Sequence, residues 1–400
     1  MRASRSRWWA AALVAPLLIF LFLVFLLPIG TFLWQAVAER DVAPALPRTV
    51  LALRDWDGRA LPPDAAFEAL AADLRAARAH DQASVGAPLI PAAAARLNSE
   101  VPGFRSTLPA TARRLADPAA PARDTILAAS PDWSAPESWA AIRRTAGPLG
   151  DSNLLAVLDL RRDSTGVLAA VPPESAIFRT ILLRTLWIAI LATAISLLLA
   201  YPLAYLIATA APRWRPWLLA GVMLPFWTSL VVRTAAWWVL LQREGIVNAA
   251  LGGLGLIEAP LPLLFSRGAV LAAMVHILLP FAVLPIYAAL RGLDWRLPRA
   301  ALSLGATPWR SFWRVTLPLT LPGVGAGAIL VFIQALGFYV TPALLGGPND
   351  QMLPYFIGFY ANRTVNWGLA AALSVALLLA VAIVVGLYAR LVGFERTRSA

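Results

Sequence analysis

Six runs of apolar residues, each free of Asp and Glu, set the limits on what this chain can fold into. They cover approximately Trp8–Trp34, Ile181–Ala208, Pro216–Leu241, Gly268–Leu290, Pro322–Leu344 and Trp367–Ala389. A hydrocarbon core of roughly 30 Å needs about 20 residues of helix. Within it, only helices and closed barrels satisfy their own backbone hydrogen bonds. Composition agrees, at 59% hydrophobic, 14% charged and a mean hydropathy of +0.68, where an ordinary soluble domain is about half apolar. The expected class is an all-α polytopic membrane protein with six transmembrane helices. Arg2, Arg5, Arg7 and the small residues Ala36-Val37-Ala38 imitate a cleavable leader, but the first apolar run is about twice the ~7–15 residues of a leader's core, so an uncleaved anchor is expected.

What the chain lacks excludes chemistry. All 34 basic residues are Arg, Cys is absent, and the two His stand far apart at 80 and 276. Without Lys there is neither a phosphate-binding loop of the G-x-x-x-x-G-K-[ST] type nor a Schiff base. Without Cys there is no thiolate nucleophile or thiolate metal cluster, and two distant His do not make a metal site. No catalytic, cofactor-binding or metal-binding residue is expected. His80 beside Asp81 reads as a solvated helix end. The net charge of +12 does not call for nucleic acid, because Arg gathered at the ends of apolar runs is what membrane orientation demands.

Charge and length then divide the chain. Arg2, Arg5, Arg7, Arg213, Arg215, Arg291, Arg296, Arg299, Arg310, Arg314, Arg390, Arg396 and Arg398 fall on one side of a six-span topology, with only Asp294 and Glu395 beside them. The opposite short loops hold Arg243, Arg267 and Arg363. The positive-inside rule places the Arg-rich side, with both termini, in the cytoplasm of a bacterial cell's inner membrane. Residues 1–34 are then a tail and first span, 35–175 an extracytoplasmic (periplasmic) domain, and 176–400 a five-helix core with a cytoplasmic loop at 291–321. In the domain, Asp64–Arg78 has the spacing of an amphipathic helix. Leu154–Leu160 and Val167–Val171 suit short strands.

Within the spans, Arg233 and His276 are candidates for a translocation pathway, because an ionisable group at membrane depth is costly to keep. The competing readings are a cation serving a helix break near Pro225 or reaching the interface, and a His bonding between helices. Gly323, Gly325 and Gly327 permit close helix approach, either inside this chain or at a seam with a second subunit. Trp8, Trp9, Trp34, Trp217 and Trp367, at span ends, suit interfacial belts.

The loop before the fifth span is the most informative stretch. Pro298 suits a helix's first turn, Gly305 the positive-φ position that ends it, and Thr307 the cap of a second helix beginning at Pro308. Trp309, Phe312 and Trp313 then share a face at helical spacing, an apolar ridge on a basic loop. This stretch resembles the EAA loop of ABC-importer permeases. Ala300, Ala301, Gly305, Ala306, Phe312, Val315, Leu317, Pro318, Pro322 and Gly323 fall in register with it. Further phrases from Ile177 onward, such as Leu183-Arg-Thr-Leu and Leu224-Pro-Phe-Trp-Thr-Ser-Leu-Val-Val-Arg-Thr, are similar to the spermidine/putrescine type.

The resemblance implies a type I (MetI-like) ABC-importer permease fold, here with an extracytoplasmic domain between helices 1 and 2. It also implies a coupling role for Arg299, Ala300, Ala301, Gly305, Ala306, Thr307, Pro308, Trp309, Phe312, Val315, Pro318, Pro322 and Gly323. Arg299 stands where the family has Glu. The implied partners are a cytoplasmic ATPase dimer carrying the ATP and Mg, a second permease in a heterodimer, and a periplasmic solute-binding protein. The implied solute is polyamine-like. The competing transport reading, an ion-coupled secondary carrier, would ordinarily place carboxylates in the spans, and none is there.

Overall fold

The computed structural model of the chain describes residues 13–38, 41–83, 88–98, 100–115, 117, 121–162, 167–364 and 366–398. Arg2, Arg5, Arg7, Trp8 and Trp9 therefore lie outside the described residues. Two compact units emerge, one made of residues 1–178 and 360–375, the other of 179–359 and 376–400.

The first unit begins with an apolar helix, α1 (Leu13–Trp34), and continues into a helical body. Its helices are α2 (Pro47–Ala52), α3 (Asp64–Gln82), α4 (Leu89–Asn98), α5 (Phe104–Arg114), α6 (Ala122–Ala129), α7 (Pro136–Arg144) and α8 (Ser152–Val157). The amphipathic reading of α3 holds: Phe67, Leu70, Ala71, Leu74 and Ala77 are buried along one face. The core centres on aromatic rings, with Phe67–Trp139 at 4.6 Å, Trp133–Trp139 at 5.2 Å and Phe104–Trp133 at 5.3 Å between centroids. Both indoles bury with a partner, as buried N–H groups must. Trp133 Nε1 donates to Thr111 Oγ1 at 2.8 Å and Trp139 Nε1 to the Trp133 carbonyl at 3.0 Å.

Asp81 turns out to be a structural acceptor, taking the Leu89 and Ile90 N–H groups at the start of α4. The strand expectation is half right. Leu154–Val157 belongs to α8, while β1 (Leu160–Arg162) pairs antiparallel with β2 (Leu168–Ala170), Leu160 opposite Ala170. Apart from this strand pair and an isolated bridge between Ala38 and Leu149, the elements of the described residues are helical.

The second unit holds α9 (Phe178–Thr209, which begins one residue before it), α10 (Arg215–Met223), α11 (Leu230–Leu240), α12 (Ile246–Gly253), α13 (Arg267–Gly292), α14 (Arg296–Ser303), α15 (Pro308–Leu336), α16 (Val340–Leu345) and α17 (Leu353–Asn362), together with the latter part of α18 (Trp367–Arg398). Five described helices, α1, α9, α13, α15 and α18, are long and apolar enough to cross a membrane.

The third expected span is not one straight helix. It bends by 96° between a first piece ending at Trp227 and a second starting at Leu230. The causes are local. Pro225 has no N–H to give and sits in a tight turn over Leu224–Trp227. Ser229 then starts a fresh helix by accepting the Val232 N–H at 3.2 Å.

The fifth expected span is shifted. Instead of a short helix followed by Pro322–Leu344, one helix runs unbroken from Pro308 to Leu336, and the backbone opens at Gly337–Tyr339 before α16. Pro318 is accommodated because Phe312–Thr316 forms a π turn, in which the Leu317 N–H reaches the Phe312 carbonyl. The wider turn relieves the ring's clash with the carbonyl four residues back.

Gly323 and Gly327 decide where the close approach lies. A β-carbon on Gly323 would sit 2.4 Å from Ala289 Cβ and 2.7 Å from the Pro285 carbonyl, and one on Gly327 would sit 3.2 Å from the Ala282 carbonyl. Both glycines let α15 approach α13 within this chain. Gly325 instead receives the ring of Tyr388 on α18.

Candidate functional site: an elbow and the broken helix

The elbow forms where α13 ends. Asp294 accepts the Arg296 N–H at 3.0 Å to start α14. Gly305, with φ of +87°, ends it. The Gly305 N–H reaches the Leu302 carbonyl and the Ala306 N–H the Ala301 carbonyl, each at 3.0 Å, the paired closure that a left-handed glycine allows. Thr307 Oγ1 accepts the Arg310 N–H, so Thr307 caps the second helix and Pro308 opens it, as their order in the sequence implies.

One hydrogen bond ties the two arms together. Ser311 Oγ donates to the Pro298 carbonyl at 3.1 Å, and both residues are buried. Ala301 is half-buried beside them, while Arg299 and Ala300 face outward.

The expected aromatic ridge forms, with Phe312 meeting Trp309 at 6.2 Å and Trp313 at 5.5 Å between ring centroids, and it has an exposed and an inner side. Trp309 and Trp313 remain exposed, and their rings meet at 5.5 Å. Phe312 turns inward, edge-on to Tyr201 at 5.5 Å and to Tyr205 at 6.3 Å, both on α9. Trp295 meets Tyr205 at 5.9 Å. Tyr201 OH pairs with Thr320 Oγ1 at 2.9 Å, and Thr320 also donates to the carbonyls of Thr316 and Leu317 beside the π turn. Tyr201, Tyr205, Trp295, Ser311 and Thr320 are missing from the sequence reading. Tyr201 and Tyr205 stand four apart near the C-terminal end of an apolar run, a pairing that could have marked them.

Of the remaining motif residues, Val315 is half-buried, Pro318 and Pro322 lie on the exposed side of α15, and Gly323 is buried against α13. The elbow thus places Gly305, Ala306, Thr307, Pro308 and Trp309 at its apex. Leu304, 89% exposed, and Trp309, 71% exposed, stand there open. From the apex α15 continues without a break as a helix long and apolar enough to cross a membrane.

Arg233 lies one turn into α11, just past the bend, and its Nε is buried without a hydrogen-bond partner among the described residues. His276, on α13, accepts the Trp237 indole N–H at its Nδ1, 3.2 Å away, with the rings 5.9 Å apart. Trp237 is one turn beyond Arg233, so the three share a face of α11 and α13.

Comparison with known proteins gives this geometry its context. The profile of the family described as "Binding-protein-dependent transport system inner membrane component" matches residues 176–394. The chain belongs to that family. This transport component is similar to the "Spermidine/putrescine transport system permease protein PotB" of Haemophilus influenzae, with 36% identity over 244 residues, 59% of this chain and 85% of the relative. The protein of the same description from Escherichia coli K12 is 35% identical over 210 residues, 52% and 76% of the two chains. The "Molybdenum transport system permease protein ModB" of Mycobacterium bovis is 30% identical over 250 residues, 62% and 91% of the two chains. A bacterial ABC transporter "involved in the import of the acidic polysaccharide alginate" overlaps the fold at a TM-score of 0.44 and 22% identity, covering 53% of this chain and 79% of that one. The family match takes in the elbow, the broken helix and all the spans after the first. This permease component is therefore a multi-pass inner-membrane protein of binding-protein-dependent ABC import.

Proposed function

We propose that this chain is the permease subunit of an ATP-driven importer that moves a small solute by alternating access. The observation that carries the reading is the rigid elbow, continuous with a span and exposing apolar side chains at its apex. A separate ATPase dimer, holding the ATP and Mg, docks on that apex. Its closure tilts α15, and with it α9 through Phe312 and Tyr201, and α13 through the Gly323 contact. A two-state element biased by ATP on one side and by delivered solute on the other is what alternating access requires.

The bent pair α10–α11 counts as one span, giving six, with both termini cytoplasmic and residues 35–175 outside the cytoplasm. A periplasmic binding protein delivers the solute and a second permease completes a heterodimer. Arg233 and His276 face the pathway. Polyamines lead among the candidate solutes, a reading supported by the likeness to spermidine/putrescine permeases, and the binding protein sets the selectivity.

The test is uptake of radiolabelled putrescine and spermidine by cells expressing the complete system. Uptake should stop when ATP is depleted with the proton gradient intact and persist when the gradient alone is collapsed. The reverse pattern would sink the importer reading. Transport driven by ATP but silent toward polyamines would overturn the solute alone.

A further inference from the structure

The elbow's outward face is cationic to a degree that topology alone does not explain. Arg296 and Arg299 stand three residues apart on α14, with Arg310 and Arg314 four apart on α15, and all four are exposed. Within residues 291–321 the one acid in the sequence, Asp294, uses one carboxylate oxygen on the Arg296 backbone N–H. The positive-inside rule asks only that cations be present in such loops; it does not place them on one helical face. In α14 they are so placed. Pro298 and Ala301 turn toward α15, and Arg296, Arg299 and Ser303 occupy the opposite face at helical spacing. Between these charges stand Leu302, Leu304 and Trp309, each exposed.

An exposed apolar apex ringed by cations fits an apolar pocket with an acidic rim. The alternative host, an anionic lipid surface, needs no fixed shape. Here the chain holds one shape with a left-handed glycine, a capped second helix and the buried Ser311–Pro298 bond.

Resting on the importer reading, we propose that the ATPase subunit engaging this elbow presents an acidic rim, with at least one carboxylate meeting Arg299. Arg299 thereby selects that ATPase over one whose rim is basic. Exchange of Arg299 for Glu would reverse this preference while leaving the fold unchanged, since the side chain is exposed and away from the contacts that set the elbow.

The test uses the full chain in phosphatidylcholine nanodiscs, with the Walker-motif ATPase whose co-expression supports ATP-dependent uptake, and measures binding of the purified ATPase. Wild-type binding should weaken markedly between low and high NaCl, as screening requires. Arg299→Glu should weaken it about ten-fold at low salt, the scale of one lost charge-assisted contact, and Arg299→Lys should retain most of it. Trp309→Ala should weaken binding at every salt concentration. Salt-independent binding that is unchanged in Arg299→Glu but lost in Trp309→Ala would overturn the acidic rim and leave the importer reading standing. If neither substitution weakens binding, the elbow is not the docking face and both fail. A charge effect that appears only when anionic phosphatidylglycerol replaces phosphatidylcholine would assign the Arg face to lipid and overturn the proposal.

Discussion

The glycine contact between α13 and α15 gives a prediction whose size follows from distances. Placing a methyl group on Gly323 puts a carbon 2.4 Å from Ala289 Cβ and 2.7 Å from the Pro285 carbonyl. Ordinary contact begins at 3.4 Å, so the helices must separate by 3.4 − 2.4 = 1.0 Å at least. Neither obstacle can swing aside, because one is backbone and the other the first atom of a side chain. Overpacking of this kind costs about 1–3 kcal/mol. At roughly 2–4 °C per kcal/mol for a body of this size, the Gly323→Ala protein should melt some degrees lower in detergent. Gly253→Ala, where nothing lies within 4 Å, is the matched control and should not lower the melting point. Adding Ala289→Gly removes the shorter contact and leaves the carbonyl, so recovery should be partial. If Gly323→Ala melts with Gly253→Ala, the helices are not in the contact described, and the transmission from elbow to α13 loses its basis.

Other expectations follow from single contacts. Asp350 is largely buried, pairs with Arg267 Nε at 3.0 Å and accepts the Gly347 N–H; Asp350→Ala should destabilise the second unit by about 1–3 kcal/mol, read as an earlier chemical-denaturation midpoint. Trp133→Ala empties a fully buried site in the first unit's core and should cost about 3–5 kcal/mol, whereas Trp133→Phe should cost less, losing chiefly the bond to Thr111. The Asp151 carboxyl is held below the ordinary range by its hydrogen bond to the Arg162 guanidinium and by that group's charge. A depressed carboxyl contributes stability above its unfolded value, about pH 4, and loses it as pH falls through the lower folded value. Both side chains are largely exposed, so the effect is small. Asp151→Asn should flatten the acid limb of the stability curve slightly and leave neutral pH nearly unchanged. Tyr201→Phe keeps the ring against Phe312 and loses the bond to Thr320; on the importer reading it should lower solute moved per ATP while ATPase binding holds, and equal loss of both would refute it.

Much of the fold was legible in the sequence because the bilayer is a severe solvent. Length and apolarity suffice to mark a span, which is why the runs beginning at Ile181, Gly268 and Trp367 correspond to α9, α13 and α18. The elbow was legible for a different reason: Gly305 and the Thr307-Pro308 pair carry their conformations in their own covalent structure. Proline was less decisive. Pro225 accompanies a sharp bend, whereas Pro318 and Pro322 lie inside an unbroken helix because a π turn absorbs the first of them, and no local rule separates the two outcomes.

Which side chains meet was beyond the sequence altogether. Gly323 could have served a seam between subunits or a contact within one, and the backbone of Pro285 beside it decides for the latter. Phe312 meets Trp309 and Trp313 as its spacing implies, but nothing local announces that it also packs on Tyr201, more than a hundred residues earlier in the chain. Periodicity reports the face on which a residue lies; only the packed tertiary structure, through contacts distant in sequence, determines what that face touches.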